Sequence, residues 1–198
     1  MGEAVNGVDV TGLRDIIDKL RADPSLARFR FRVSNRWDEG GHSETTIAGF
    51  YGACTEQTSE HRPFTLEADE PHVLLGQDRA PNAVEHLLNA LATCLTGALA
   101  YHAAARGIRL DRIESQLRGE IDLRGFLGIS DEIRKGFQHI EASFRVAGDG
   151  TEEQLEECLR FSPVLDVVSH GTDVSLRVEK MEAAEAPATR PEGAPPLH

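Results

Sequence analysis

The chain has 198 residues, 40% of them hydrophobic and 27% charged, the balance of an ordinary soluble globular protein with room for one sizeable core. Its formal charge of −12 argues against a nucleic acid or an anionic membrane as partner. No uninterrupted apolar run approaches the ~20 residues of a membrane span, and the start MGEAVNGVDVTG lacks the basic and apolar regions of a secretory signal, so the expected location is cytoplasmic.

Residues 11–22, TGLRDIIDKLRA, place Leu13, Ile16, Ile17 and Leu20 on one helical face. Thr11 is the expected cap and Asp23-Pro24 the stop, so residues 1–27 form an N-terminal helical extension. Two strands are expected next, RFRFRVSNRW and SETTIAGFYG, around the turn DEGG at 38–41. RPFTLEADEPHVLLG reads as one or two short strands. Residues 81–106 carry the strongest helix signal, with Pro81 in the first turn and Gly107 at the stop. IRLDRIESQLRGEIDLRG is β-rich, FLGISDEIRKG is a loop or short helix, and FQHIEASFRVAG alternates as a strand. A second helix begins at the T-x-x-Q capping box of Thr151 and Gln154 and stops at Pro163. TDVSLRVEK, with Val174, Leu176 and Val178 on one face, closes the domain as a final strand. The tail 181–198, rich in Ala, Glu and Pro, is expected to be disordered. The fold class is therefore α+β, one domain over 28–180 with mostly antiparallel strands.

Cys54, Cys94 and Cys158 are odd in number and form no C-x-x-C, so neither a zinc site nor a thioredoxin-like pair has support, and no metal or nucleotide motif occurs. On a helical wheel, Ala83, Leu87, Ala90, Ala98, Tyr101 and Ala105 fall within about 40° of Cys94. Leu88, Leu91, Leu95 and Leu99 extend the apolar face to one side, and His86, Asn89, Thr93 and Thr96 lie on the other. Glu85 is nearly opposite. More than half the girth is apolar, a pattern of burial. Read from this pattern alone, Cys94 is a small hydrophobe at the margin of a packed face.

The segment APNAVEHLLNALATCLTGALAYHAAARGI, residues 80–108, resembles the cysteine helix of the osmotically inducible protein C (OsmC) and organic hydroperoxide resistance (Ohr) superfamily. The matching residues are Pro81, Glu85, Leu87, Leu88, Ala90, Ala92 and Cys94, and the order of elements over about 28–180 agrees with them. The resemblance implies an intertwined homodimer, with two central helices wrapped by sheets from both subunits and the active sites at their interface. It also implies a thiol peroxidase that reduces organic hydroperoxides, with no cofactor beyond an external thiol or dithiol reductant. Cys94 matches the peroxidatic cysteine, Arg36 in NRWDEGG the assisting arginine, and Glu85 the glutamate of divergent members.

The chain departs from the family at the second motif, where Ser162-Pro163-Val164 stands for Cys-Pro-Val. Serine cannot form the disulfide that resolves a sulfenic acid. Cys158, one helical turn earlier, is the possible substitute. The first expectation is thus a one-cysteine peroxidase regenerated by an external thiol. The alternative is a non-catalytic small-ligand-binding or regulatory protein on the same scaffold, with an apolar ligand in the interface cleft. A distant third is cysteine-dependent acyl chemistry with His86 or His102 as base.

Overall fold

The computed structural model of the chain describes residues 4–181, so the expectation for the tail beyond Met181 lies outside the described residues. The chain opens with a two-residue hairpin, β1 (Ala4–Val5) and β2 (Val8–Asp9), turning at Asn6 and Gly7, both with positive φ. Asn-Gly is the preferred pair for such a turn, because glycine accepts the left-handed conformation without cost and asparagine tolerates it. Helix α1 (Val10–Ala22) follows directly. Asp9, not Thr11, is its cap: the Asp9 carboxylate accepts from Gly12 N at 3.0 Å. Asn6 fastens this extension to the body, donating to Ile108 O at 3.0 Å and accepting from Leu110 N at 2.8 Å.

The two long strands expected over 28–52 are shorter and broken. Strand β3 is Ser34–Trp37 and β4 is Ser43–Ile47, joined by the expected turn. The chain then bends at Ala48-Gly49, and β5 (Phe50–Gly52) pairs with β6 (Thr55–Gln57) in a separate hairpin. That hairpin turns on Ala53 and Cys54, both at positive φ. Neither residue type signals such a turn, which is why the sequence concealed it. Ahead of β3, only Arg30 is bridged, to Tyr51. Strand β7 (Phe64–Ala68) completes a three-stranded antiparallel sheet in the order β3-β4-β7.

Helix α2 (Ala83–Ala105) is the centre of the fold. Its cap is Asn82, with Pro81 lying just outside, and Glu85 closes a reciprocal capping box. Gly107, at φ 73°, provides the left-handed residue that ends it. By length and composition α2 could cross a membrane, but it packs against the long hairpin of β8 (Leu110–Ile121) and β9 (Phe137–Gly148) and against the helices that follow. The link between β8 and β9 holds a one-turn helix, α3 (Leu123–Phe126). Leu99, Ala103, Ile108 and Cys158 form the buried core, with Ile113, Phe144, Val146, Leu155 and Leu159 around it.

Helix α4 (Glu152–Leu159) starts at the Thr151–Gln154 capping box, as expected. Pro163 does end it, and also starts another helix, α5 (Pro163–His170). Ser162 is the cap of α5, its hydroxyl accepting from Leu165 N at 3.1 Å, and Pro163 occupies the first turn where its missing N–H costs nothing. The expected final strand is not paired among the described residues: 172–181 run without regular structure, and Leu176 and Val178 are almost fully exposed. The α+β class with antiparallel sheets stands.

Candidate functional site

Cys94 lies at the middle of α2 and is half-buried. The stripe that α2 buries in its own chain is Leu91, Leu95, Leu99 and Ala103, spaced at i, i+4. This stripe is centred well round the helix from Cys94. Leu99 and Ala103 are about 140° and 180° from it at roughly 100° per residue. The face that carries Cys94 is different in kind. Leu87 and Tyr101 on it are exposed, and the alanines between them leave it shallow and uncharged. The thiol therefore sits at the edge of an apolar surface that the described residues leave open.

The other candidate residues are not gathered round it. Glu85 is one of the first residues of α2, about two and a half turns before Cys94 and on the opposite side of the helix, and its carboxylate accepts from Asn82 N at 2.8 Å in the capping box. Arg36 lies within β3, not in the turn, and faces Glu44 at 3.9 Å. No hydrogen bond or ion pair among the described residues joins Arg36 or Glu85 to Cys94. His86 is engaged elsewhere: its Nε2 meets Glu67 O at 2.9 Å, which ties the edge of β7 to α2. His102 stacks on Phe161 with ring centroids 4.1 Å apart. Burial first, and then the Arg106 guanidinium, push its pKa below the usual imidazole range. Neither histidine is placed as a base for Cys94.

Cys158 is fully buried, packed with Leu99 and Ala103 on the far side of α2 from Cys94, and its sulfur accepts from Arg106 Nη1. It is not brought to Cys94. Ser162, 1% exposed, is occupied as the cap of α5. Cys54 is exposed at its hairpin turn, with its sulfur 3.6 Å from Ser25 Oγ. Among the described residues no His, Cys, Asp and Glu cluster could hold a metal ion.

One residue that organises the approach to α2 was missed. Asp69, 2% exposed, accepts from Glu70 N at 2.8 Å and from Gln77 N and Arg79 N at 3.2 Å, with Arg79 Nε at 3.5 Å. Arg79 also reaches Glu39 at 3.1 Å, so the β3–β4 turn is joined to the 69–79 loop that leads into α2. Burial works against the carboxylate charge, but the backbone N–H groups of Arg79, Glu70 and Gln77 and the Arg79 side chain outweigh it and hold its pKa below the usual range. A depressed carboxyl stabilises the fold above its unfolded pKa and loses that contribution as pH falls through the folded value. Asp69→Asn is therefore expected to lower the melting temperature at neutral pH. It is also expected to flatten the fall of melting temperature that wild type shows between about pH 5 and pH 2. Thermal melts of both proteins across that range check this.

The stretch from the approach to α2 through α5 matches a known family. Residues 76–177, just over half the chain, match the model of the OsmC-like protein family, and the chain belongs to it. No curated protein matches. An OsmC-like protein of unknown function from Vibrio cholerae is similar at a TM-score of 0.52 and 11% identity, covering 69% of this chain and 92% of that one. An OsmC-like protein from Mycoplasma pneumoniae is similar at 0.50 and 15%, covering 71% and 88%. At these identities the likeness is one of fold.

Proposed function

We propose that the chain is a one-cysteine, thiol-dependent hydroperoxide reductase working as a homodimer, with Cys94 as its nucleophile. The observation that carries this reading is the position of Cys94, half-buried at the middle of an uncharged helix face that the described residues do not cover. The Cys94 thiolate attacks the outer oxygen of a small organic hydroperoxide and the O–O bond breaks. The sulfur takes that oxygen as a sulfenic acid, and the leaving alkoxide takes up a proton to become the alcohol. One external thiol condenses with the sulfenic acid, releasing water and leaving a mixed disulfide. A second thiol then displaces Cys94 and leaves as the external disulfide. The intramolecular step has no donor here, because Ser162 carries a hydroxyl and Cys158 lies across the helix.

Three features support a second copy. Among the described residues the Cys94 face is open, 172–181 alternate in sequence like a strand without a partner, and the long β8–β9 hairpin has two free edges. Within one chain Arg36 faces Glu44 and Glu85 closes the Asn82 capping box, so neither assists the Cys94 thiolate of its own chain. The ligand-binding alternative shares the scaffold and the dimer and differs only in the chemistry at Cys94. Dimedone trapping separates the two. After brief exposure to cumene hydroperoxide, intact-mass and peptide analysis is expected to show one dimedone adduct, at Cys94. An unmodified Cys94 with full peroxide remaining would overturn the enzyme reading.

A further inference from the structure

A cleft between α2, the start of β9 and α5 differs in charge from the rest of the chain. Its volume is about 590 Å³, within the range of small-molecule sites. Val84 and Leu87 of α2, Phe137 and Ile140 of β9, and Val167 and Val168 of α5 form its apolar walls. Leu87 is 39% exposed and Val167 46%, so these walls are open. The chain carries 33 acidic residues against 21 Lys and Arg, yet no Asp or Glu lines this cleft. Arg134 does.

The backbone of Arg134 is fixed. Its carbonyl accepts from Gln138 Nε2 at 2.9 Å, and it lies against Gly125 of α3 so closely that an added Cβ would stand 2.5 Å from the oxygen. Its guanidinium is free: among the described residues no ion pair or hydrogen bond holds it, and the nearby cap carboxylate of Asp122 is taken by Arg124. Arg134 Nε is 3.9 Å from where a Cβ on Gly136 would stand, and Gly136 lines the same cleft. The other basic residue at the rim, His139, is opposite Glu120 across the β8–β9 ladder. Glu85, on α2 between Val84 and Leu87, is tied into the Asn82 capping box.

We propose that this cleft binds an apolar carboxylate of the medium-chain fatty acid type, with the carboxylate on Arg134 and the chain along Val84, Leu87 and Val167. A guanidinium on a fixed backbone pairs with a carboxylate through two parallel N–H donors and so sets the orientation. Each methylene laid on the apolar walls adds affinity. The absence of lining carboxylates removes the repulsion that an anion meets over most of this acidic surface. The site adjoins Cys94 without including it. Leu87 is on the same side of α2 but about 10 Å before the thiol along the axis, at seven residues of roughly 1.5 Å each. The site therefore stands whether or not Cys94 is a nucleophile.

Isothermal titration calorimetry with decanoate, and with decanol as the same chain without the charge, tests this. Wild type and Cys94→Ser are expected to bind one decanoate per chain alike, and decanol about tenfold or more weakly, the scale of one charge-assisted hydrogen bond. Arg134→Gln is expected to bring decanoate down to the level of decanol and leave decanol unchanged, while Arg134→Lys keeps part of the difference. Val167→Asp, at a half-exposed position, is expected to abolish decanoate binding by placing a like charge in the wall. Thermal melts confirm that the variants are folded. Absence of decanoate binding to wild type, equal binding of decanoate and decanol, or an affinity that Arg134→Gln does not move would each overturn the proposal. A change of native mass in Arg134→Gln, with decanoate unbound by either protein, would give the cleft to a second copy and refute it as well.

Discussion

Cys94→Ser is expected to lower thiol-dependent consumption of cumene hydroperoxide by roughly 100-fold or more, the scale of removing the one group that forms the covalent intermediate. Serine keeps the volume of the side chain almost unchanged at a half-buried position, so the loss reads chemistry and not folding. Cys54→Ser is expected to keep wild-type turnover, since its sulfur lies at an exposed hairpin tip beside Ser25. Cys158→Ser is the more informative control. Its sulfur is buried against Leu99 and Ala103 and bonded to Arg106, so substitution costs stability, while turnover per folded molecule with a monothiol is retained. Turnover in wild type is expected to rise with the concentration of added thiol and to need no second protein cysteine. The assay follows peroxide loss for the three variants with a monothiol and with dihydrolipoamide. Equal activity in wild type and Cys94→Ser would refute the peroxidase reading. A collapse of turnover in folded Cys158→Ser would restore a resolving role to that residue through rearrangement of the helix pair.

The parts of the fold that could be read from residues alone were those set by local rules. The centre of α2 follows from a long apolar period, and α4 from the reciprocal Thr151–Gln154 cap. The failures have a common physical source. Pro163 reads as a stop because proline cannot continue a helix, yet the same property suits it to the first turn of the next one, with Ser162 as cap. Asp69 carries no signal in the sequence, since its three amide donors are one, eight and ten residues along and no local spacing rule connects them. Residues 172–181 carry a strand pattern, but a strand is defined by its partner, and the described residues supply none. For the site, periodicity marked Cys94 only as the margin of a packed face; the family resemblance singled it out as reactive. The side of the sheet on which Arg36 lies depended on the register of β3 against β4, which turn composition does not specify.

Leu99→Ala is expected to destabilise the protein by about 3 kcal/mol, within the range for leucine truncation in a core that cannot collapse. Leu99 is completely buried. It is packed between the second face of α2, the sheet residues Phe144 and Val146 on β9, and Leu155, Leu159 and Cys158 on α4. These neighbours belong to separate elements, each held by its own caps or ladder, so they cannot all move into the space that three lost carbons leave. A loss of that size corresponds to a fall in melting temperature of roughly 6–12 °C for a chain of this length. Val73→Ala, at an 85% exposed position, is the matched control and is expected to change stability by less than about 0.5 kcal/mol. Because Leu99 lies about 140° round α2 from Cys94, the variant is expected to keep its turnover at temperatures where it remains folded. Thermal melts paired with peroxide assays at 25 °C, roughly the reference temperature for these energies, measure both effects. A Leu99→Ala protein that melts like wild type would mean that α2 does not rest on α4 and β9. A stable but inactive one would mean that the two faces of α2 are coupled.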